Sequence, residues 1–400
     1  MNHDRSYIAV RNVRVWRDDA TFSAPTRVSW TEGLFDPLAS GDDAHAHAHD
    51  HGPDLDGTGL WLIPGLVDAH LHAGWQAFNA ADRDALDADA THALVAAGLR
   101  RTLQAGFTSA RDAGGLTPEA IAQIPTYERP RMQAAIAMID RGVADRAGGI
   151  ERAVDEVLSQ GAQWVKLVAT AGVASPAGAG LEAHFTRTEV QRAVSLAGAA
   201  SAQVMVHAWG GAAIDDAIEA GAASIEHGIF LTPAQATRIT ERGVTFVPTL
   251  RIYRLVQAMI ERGELPASFA ARVAEAVSTH PHAVRIARDA GCQIALGTDY
   301  GTPGQHGTGR LEFDVLVAAG LTPEAALVAA TRGGAQLLAG ADPDQSLALA
   351  GRIAPGAPAD AVLLRRDPRQ PGALSDPAAI AAVIAHGRLV ADVSYERNPS

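Results

Sequence analysis

The chain has little cysteine, few aromatics and a deficit of positive charge. One cysteine, Cys292, stands among 400 residues. No intramolecular disulfide can form, so a reducing compartment or indifference to redox state is expected, and a small buried apolar side chain is the simplest role for that thiol. Aromatic residues make up only 5% of the chain. Lys and Arg together number 33 against 45 Asp and Glu, a net charge of −12. That balance disfavours phosphate backbones and anionic lipid, so neither nucleic acid nor a membrane is an expected partner. No uninterrupted apolar run reaches the ~18 residues of a membrane-spanning helix. The opening Met1-Asn2-His3-Asp4-Arg5-Ser6 lacks the basic segment and apolar stretch of a secretion signal. A cytoplasmic location is expected.

What is present is a globular α/β composition, 47% hydrophobic and 20% charged with 39 Gly. The length suits two to three domains of ~150 residues, or one barrel that absorbs ~250. A chain of this size can bury about three quarters of its unfolded surface. A bound metal would therefore serve chemistry rather than hold the fold together.

The middle of the chain repeats a β-branched run, a polar or Gly turn and an Ala-rich segment of helical spacing. Strands are expected at 61–66, running into Asp68-Ala69-His70, and at 107–111, 131–138, 164–169, 204–208, 224–227, 245–250 and 293–298. Helices are expected between them at 89–104, 149–159, 188–200, 214–219, 233–242 and 270–289. From His70 to Asp299 the chain takes seven steps of about 33 residues, the size of a βαβ repeat. Eight such units close a (β/α)8 TIM-like barrel. Residues 7–16, 361–364 and 383–390 alternate as strands. The expected organisation is an α/β chain in which 63–345 form the barrel, while 1–62 and 346–400 join in a small β-sandwich domain. Two doubly wound domains in series are the alternative.

The strongest motif is Pro64-Gly65-Leu66-Val67-Asp68-Ala69-His70-Leu71-His72. Residues two apart on a strand share a face, so His70 and His72 would project together toward the barrel mouth. Taken alone, the pair reads equally well as two partly exposed histidines. Further along, Lys166 sits in Trp164-Val165-Lys166-Leu167-Val168, His207 ends Val204-Met205-Val206-His207, and His227 ends Ser224-Ile225-Glu226-His227. Asp299 closes Ile294-Ala295-Leu296-Gly297-Thr298-Asp299. A lysine flanked by Trp, Val and Leu is costly to bury as an ammonium, so it should be deprotonated, paired or chemically altered. Each residue has a bland structural reading. All of them falling at strand ends on one barrel face, where barrel active sites form, points to a site.

This pattern resembles the metal-dependent amidohydrolase superfamily over nearly the whole chain. The entry phrase from Leu62 to His70, Thr108-Ser109-Ala110-Arg111-Asp112, Gly297-Thr298-Asp299 and Gly351-Arg352-Ile353-Ala354-Pro355-Gly356 carry the likeness. Val165-Lys166-Leu167-Val168-Ala169-Thr170-Ala171-Gly172-Val173 and Val247-Pro248-Thr249-Leu250 are most similar to the imidazolonepropionase-related branch with its dipeptidases and prolidases. The resemblance implies two divalent metal ions, zinc or else cobalt, manganese or iron, and a CO2-derived carbamate on Lys166 that bridges them. It implies His70, His72 and Asp299 around one ion, His207 and His227 around the other, and a hydroxide between. Asp299 would be the catalytic proton carrier. The implied reaction is hydrolysis of an amide-type bond in a peptide or N-acyl amino acid.

One departure bears on substrate. Dipeptide-cleaving relatives often carry a Gly-Gly-His segment after the third strand, whereas this chain has Ala137-Met138-Ile139-Asp140-Arg141-Gly142. Arg251, Tyr253, His306 and Arg310 are candidate substrate contacts in its place, each equally readable as an ordinary loop residue. Without an anion binder, a neutral amide, carbamate or lactone would suit. The alternative functions are a one-metal deaminase or ring-opening hydrolase and a non-catalytic metal-binding protein. The last is suggested by His45, His47, His49 and His51 in the run 42–51. The expected partners are a small-molecule amide substrate and, as an option, further copies of the chain in a homo-oligomer.

Overall fold

The computed structural model describes residues 8–37, 54–78, 82–83, 85–173, 175, 179–342 and 346–392. The histidine run at 42–51 lies outside the described residues. The chain begins with β1 (Ala9–Val15), β2 (Thr26–Thr31), β3 (Leu34–Phe35), β4 (Asp54–Asp56) and β5 (Trp61–Pro64). It then runs through β6 (Leu66–Leu71), β7 (Phe107–Asp112), β8 (Arg131–Ala134) and β9 (Met138–Ile139). β10 (Trp164–Val168), β11 (Gln203–Ala208), β12 (Ser224–His227) and β13 (Thr245–Val247) follow. It returns with β14 (Ala361–Leu364), β15 (Ile380–Ala385) and β16 (Arg388–Asp392).

Strands from the two ends share one eight-stranded sheet, ordered β16-β15-β14-β5-β1-β2-β3 with β4 beside β1. Between them, β6 to β8 form one parallel set and β9 to β13 another. β8 and β9 are two parts of one strand position that turns at Ile136, whose φ is +65°. This position pairs with β7 on one side and with β10 on the other. The opposite gap is filled by residues 293–300. Phe246 bridges Ile294 there, and Leu71 bridges Tyr300. The Ala295 N–H donates to the Phe246 carbonyl, Ala69 to Leu296 and Thr298 to His70. These bonds close the ring of eight, giving the expected (β/α)8 barrel with a small β-domain built from both termini.

The barrel strands are buried on both faces, and so their sequences are nearly unbroken apolar runs such as Gln203-Val204-Met205-Val206-His207-Ala208. Helices start where the side chains can cap them. Asp87 accepts from Ala90 N–H ahead of α1 (Ala88–Gln104). Thr186 with Glu189 and Thr232 with Gln235 form reciprocal capping boxes for α2 (Arg187–Ala199) and α3 (Pro233–Arg242). Two further helices, α4 (Leu250–Glu261) and α5 (Ala270–Asp289), lie in the chain between the seventh and eighth strand positions.

Besides the expected strand 131–138, which divides into β8 and β9, four expected strands differ in detail, each for a local reason. The run 61–66 divides at Gly65, because Trp61–Pro64 pairs with β14 and β1 while the barrel takes over at Leu66. The run 245–250 stops at Val247, since Pro248 has no N–H to give and Thr249 turns into the left-handed region at φ +52°. The run 293–298 is not a regular strand. Its Leu296 N–H donates to Ala329 in a π-helical turn rather than to a neighbouring strand. The run 383–390 is a hairpin, broken by His386 and Gly387 with φ of +53° and +70°.

Gly65 is the joint between sheet and barrel, and a Cβ there would stand 2.0 Å from Thr108 Oγ1 and 2.8 Å from Thr108 Cβ. Gly65→Ala should therefore lower stability by about 1–3 kcal/mol through overpacking. A denaturation midpoint equal to the parent's would contradict this close approach.

Candidate metal centre

The six polar side chains singled out at the strand ends meet at one place. Lys166 Nζ lies 3.2 Å from His70 Nε2. Asp299 Oδ1 lies 3.4 Å from His70 Nε2 and 3.2 Å from His72 Nε2. The His227 ring is 5.1 Å from the His70 ring and 4.5 Å from that of His207. Among the described residues, His70, His72 and Asp299 offer ligand atoms that all lie within 4.8 Å of one another. Asp299 sits at the opening, with its side chain 22% exposed. The other five are buried or nearly so.

The rings are held from behind. His70 Nδ1 is 2.6 Å from Glu226 Oε2 and His72 Nδ1 is 2.9 Å from the Gly114 carbonyl. A carboxylate or carbonyl only accepts, so both rings donate from Nδ1 and turn the lone pair of Nε2 inward. His227 Nδ1 is fixed 2.7 Å from Thr249 Oγ1. This is how metal-binding imidazoles are oriented. His207 Nε2 is buried with no hydrogen-bond partner, which is the expected state of an atom that serves a ligand absent from the protein itself. The residues present fit divalent cations, since nitrogen and oxygen donors of this mixture suit zinc and its neighbours.

Burial and neighbouring charges set the protonation states. Burial lowers the Lys166 ammonium to about 8. It lowers His207 to about 3, helped by the adjacent Lys166. Burial alone would raise Glu226, but Arg111 and the His70 hydrogen bond hold it at about 2. Against the same burial, His70 and His72 keep Asp299 well below the usual carboxylate range.

The amidohydrolase family model matches residues 61–390. Imidazolonepropionase of Streptomyces griseus is 31% identical over 388 residues, covering 87% of this chain and 86% of that protein. Ochratoxinase of Aspergillus niger is 29% identical over 370 residues, covering 82% and 75%. A crystal structure of a Xaa-Pro dipeptidase with methionine bound in its active site superposes with a TM-score of 0.82 at 25% identity, covering 95% of this chain and 98% of that one.

The chain belongs to the amidohydrolase family. Its relatives place it in the imidazolonepropionase-related, dipeptidase-like branch, as an enzyme that hydrolyses amide bonds.

Within this amidohydrolase, several supporting residues had not been singled out. Glu226 is fully buried between Arg111, 2.9 Å from its Oε1, and His70. Arg111 also donates to Ser224 Oγ and the Ala69 carbonyl, and its guanidinium stacks 4.3 Å from the Trp164 ring. Asp112 accepts from the N–H groups of Ala73, Gly114 and Leu116, shaping the loop whose Gly114 carbonyl holds His72. Asp68 accepts from Thr298 N–H and Oγ1 and so ties the first strand to the segment before Asp299. A signal for Glu226 and Arg111 was present, because a charge inside a strand buried on both faces needs a partner. A second signal is compositional. Lys166 is the only lysine in the chain, every other one of its 33 basic Lys and Arg side chains being arginine.

The four candidate substrate contacts divide by location. Arg251 donates to Tyr300 Oη and to Thr308 Oγ1, the latter at 3.3 Å. Its backbone N–H is capped at 2.8 Å by Glu312. Tyr253 is buried, with its ring 6.1 Å from that of His227 and 5.5 Å from that of Trp209. His306 instead packs toward α1, 3.3 Å from Thr102 Oγ1. Arg310 donates to the carbonyls of Leu374 and Asp376, in the segment before β15.

Among the described residues, Glu226 is the only anion in an ion pair with the buried Arg111, and Glu226→Gln removes it. It should cost about 3–5 kcal/mol of stability, measured by chemical denaturation. A variant as stable as the parent would show that Arg111 does not depend on that carboxylate.

Proposed function

We propose that this amidohydrolase cleaves an amide-type bond in a peptide or N-acyl amino acid with two divalent ions, for which zinc is the best fit. The carrying observation is the sole lysine, buried with its amine 3.2 Å from His70 Nε2. Burial favours its neutral amine, the form that adds to CO2 to give a carbamate and a released proton. No arginine could take that role, because a guanidinium stays protonated.

His70, His72 and Asp299 would hold one ion, His207 and His227 the other, and carboxylated Lys166 would reach both. Bound there, the ions supply a water of lowered pKa and polarise the scissile carbonyl. The chain's own contribution is orientation and proton transfer. Glu226, the Gly114 carbonyl and Thr249 keep the imidazoles aimed inward. Asp299, partly exposed at the mouth, accepts a proton from the attacking water and passes it to the leaving nitrogen. Arg251 and Tyr253 are the proposed substrate contacts. His306 and Arg310, engaged with α1 and the 374–376 segment, are set aside. The buried amine beside His70 also favours two ions over a one-metal deaminase or ring-opening hydrolase. The relatives' names support a small-molecule amide as substrate.

A sole lysine makes the test clean. Protein equilibrated with 13C-labelled CO2 and zinc should give a carbamate carbon resonance, distinct from that of the chain's α-amine, that is absent from Lys166→Ala, and that variant should lose metal and activity together. Asp299→Asn should retain most of its metal while hydrolysis of dipeptides and N-acyl amino acids falls about 10²- to 10⁴-fold. A fully active Asp299→Asn protein would contradict the proton-carrier role, and a Lys166→Ala protein with parental metal content would contradict the carbamate.

A further inference from the structure

His280 is a buried histidine that the proposed reaction does not use. It lies on α5, 1% exposed, with Nε2 2.7 Å from the backbone carbonyl of His227. The carbonyl can only accept, so His280 donates. The other ring nitrogen, Nδ1, is buried without a hydrogen-bond partner. An apolar side chain would avoid that unmet atom, so packing alone does not account for an imidazole at this position.

The carbonyl that His280 grips belongs to an unusual backbone. His227 has φ of +71°, a left-handed conformation that a side chain with a Cβ adopts only at a cost. In a regular strand Glu226 and His227 would point to opposite faces. Here both reach His70, Glu226 at Nδ1 and His227 through its ring. The positive φ breaks the alternation and turns the imidazole into the barrel mouth. Gly228 continues the turn at φ +54°, with its N–H on the Ala208 carbonyl.

We propose that His280 is a positioning residue for His227, its donated hydrogen bond holding the turned backbone that presents this imidazole to the second ion. The assignment rests on the two-ion reading above. It predicts that removing the donor weakens one metal site and spares the other.

Methionine and glutamine have nearly the same length and differ in the amide, so His280→Met and His280→Gln separate the donor from the packing. The full-length proteins are dialysed against graded free zinc, and bound zinc per chain is measured by elemental analysis. The parent should bind two ions. His280→Met should bind one as the parent does and the other about 10- to 100-fold more weakly, while His280→Gln stays close to the parent. His280→Leu repeats the test in a second apolar side chain, with folding checked by circular dichroism. Parental affinities in both apolar variants, or an equal loss in the Met and Gln variants, would overturn the role of His280. A parent that binds fewer than two zinc ions, or a His227→Ala protein that still binds two as tightly, would instead overturn the two-ion reading on which it stands.

Discussion

A neutral imidazole offers its lone pair from one nitrogen while the other carries the proton, and a partner for that N–H fixes which nitrogen faces a cation; the mouth of this barrel is arranged around such partners. Three of its four histidines are anchored at Nδ1, by the Glu226 carboxylate, the Gly114 carbonyl and the Thr249 hydroxyl. Each anchor has its own support. Arg111 neutralises Glu226, and Asp112 gathers three N–H groups of the loop that contains Gly114. Thr249 sits in a left-handed turn directly before α4. The site is thus the inner end of a polar network set inside an apolar barrel. Such a network rigidifies the site to the extent that its members are satisfied.

The same network explains the electrostatics. Glu226 carries a negative charge into the barrel interior and shares it between Arg111 and His70. Lys166 lies among these groups as the one side chain with an amine that can lose its proton. In a chain that otherwise uses only arginine for permanent positive charge, this position reads as a requirement for amine chemistry rather than for a cation.

Much of this was legible before the fold was known. The helices at 233–242 and 270–289 fall where the apolar period and caps put them, and the spacing of His70, His72, Lys166, His207, His227 and Asp299 follows the barrel repeat. What stayed hidden depends on contacts remote in sequence or on backbone that breaks the strand rule. Glu226 lies 156 residues from the ring it anchors. Strand alternation would have turned it away from His227's side, and only the positive φ at His227 brings the two together. The segment before Asp299 reads as a strand, yet it gives one N–H to a helix. His306 and Arg310 follow the eighth strand position closely, but their partners on α1 and in the 374–376 segment take them elsewhere.

The central claim is that six side chains from five strand positions converge on two cations. Anomalous diffraction from crystals of the zinc-loaded protein, collected on both sides of the zinc absorption edge, tests it most directly. The account predicts two peaks, one within reach of His70, His72 and Asp299 and the other within reach of His207 and His227, with density on Lys166 Nζ extending to both. A single peak, or ions bound only by the histidines of residues 42–51, would contradict it.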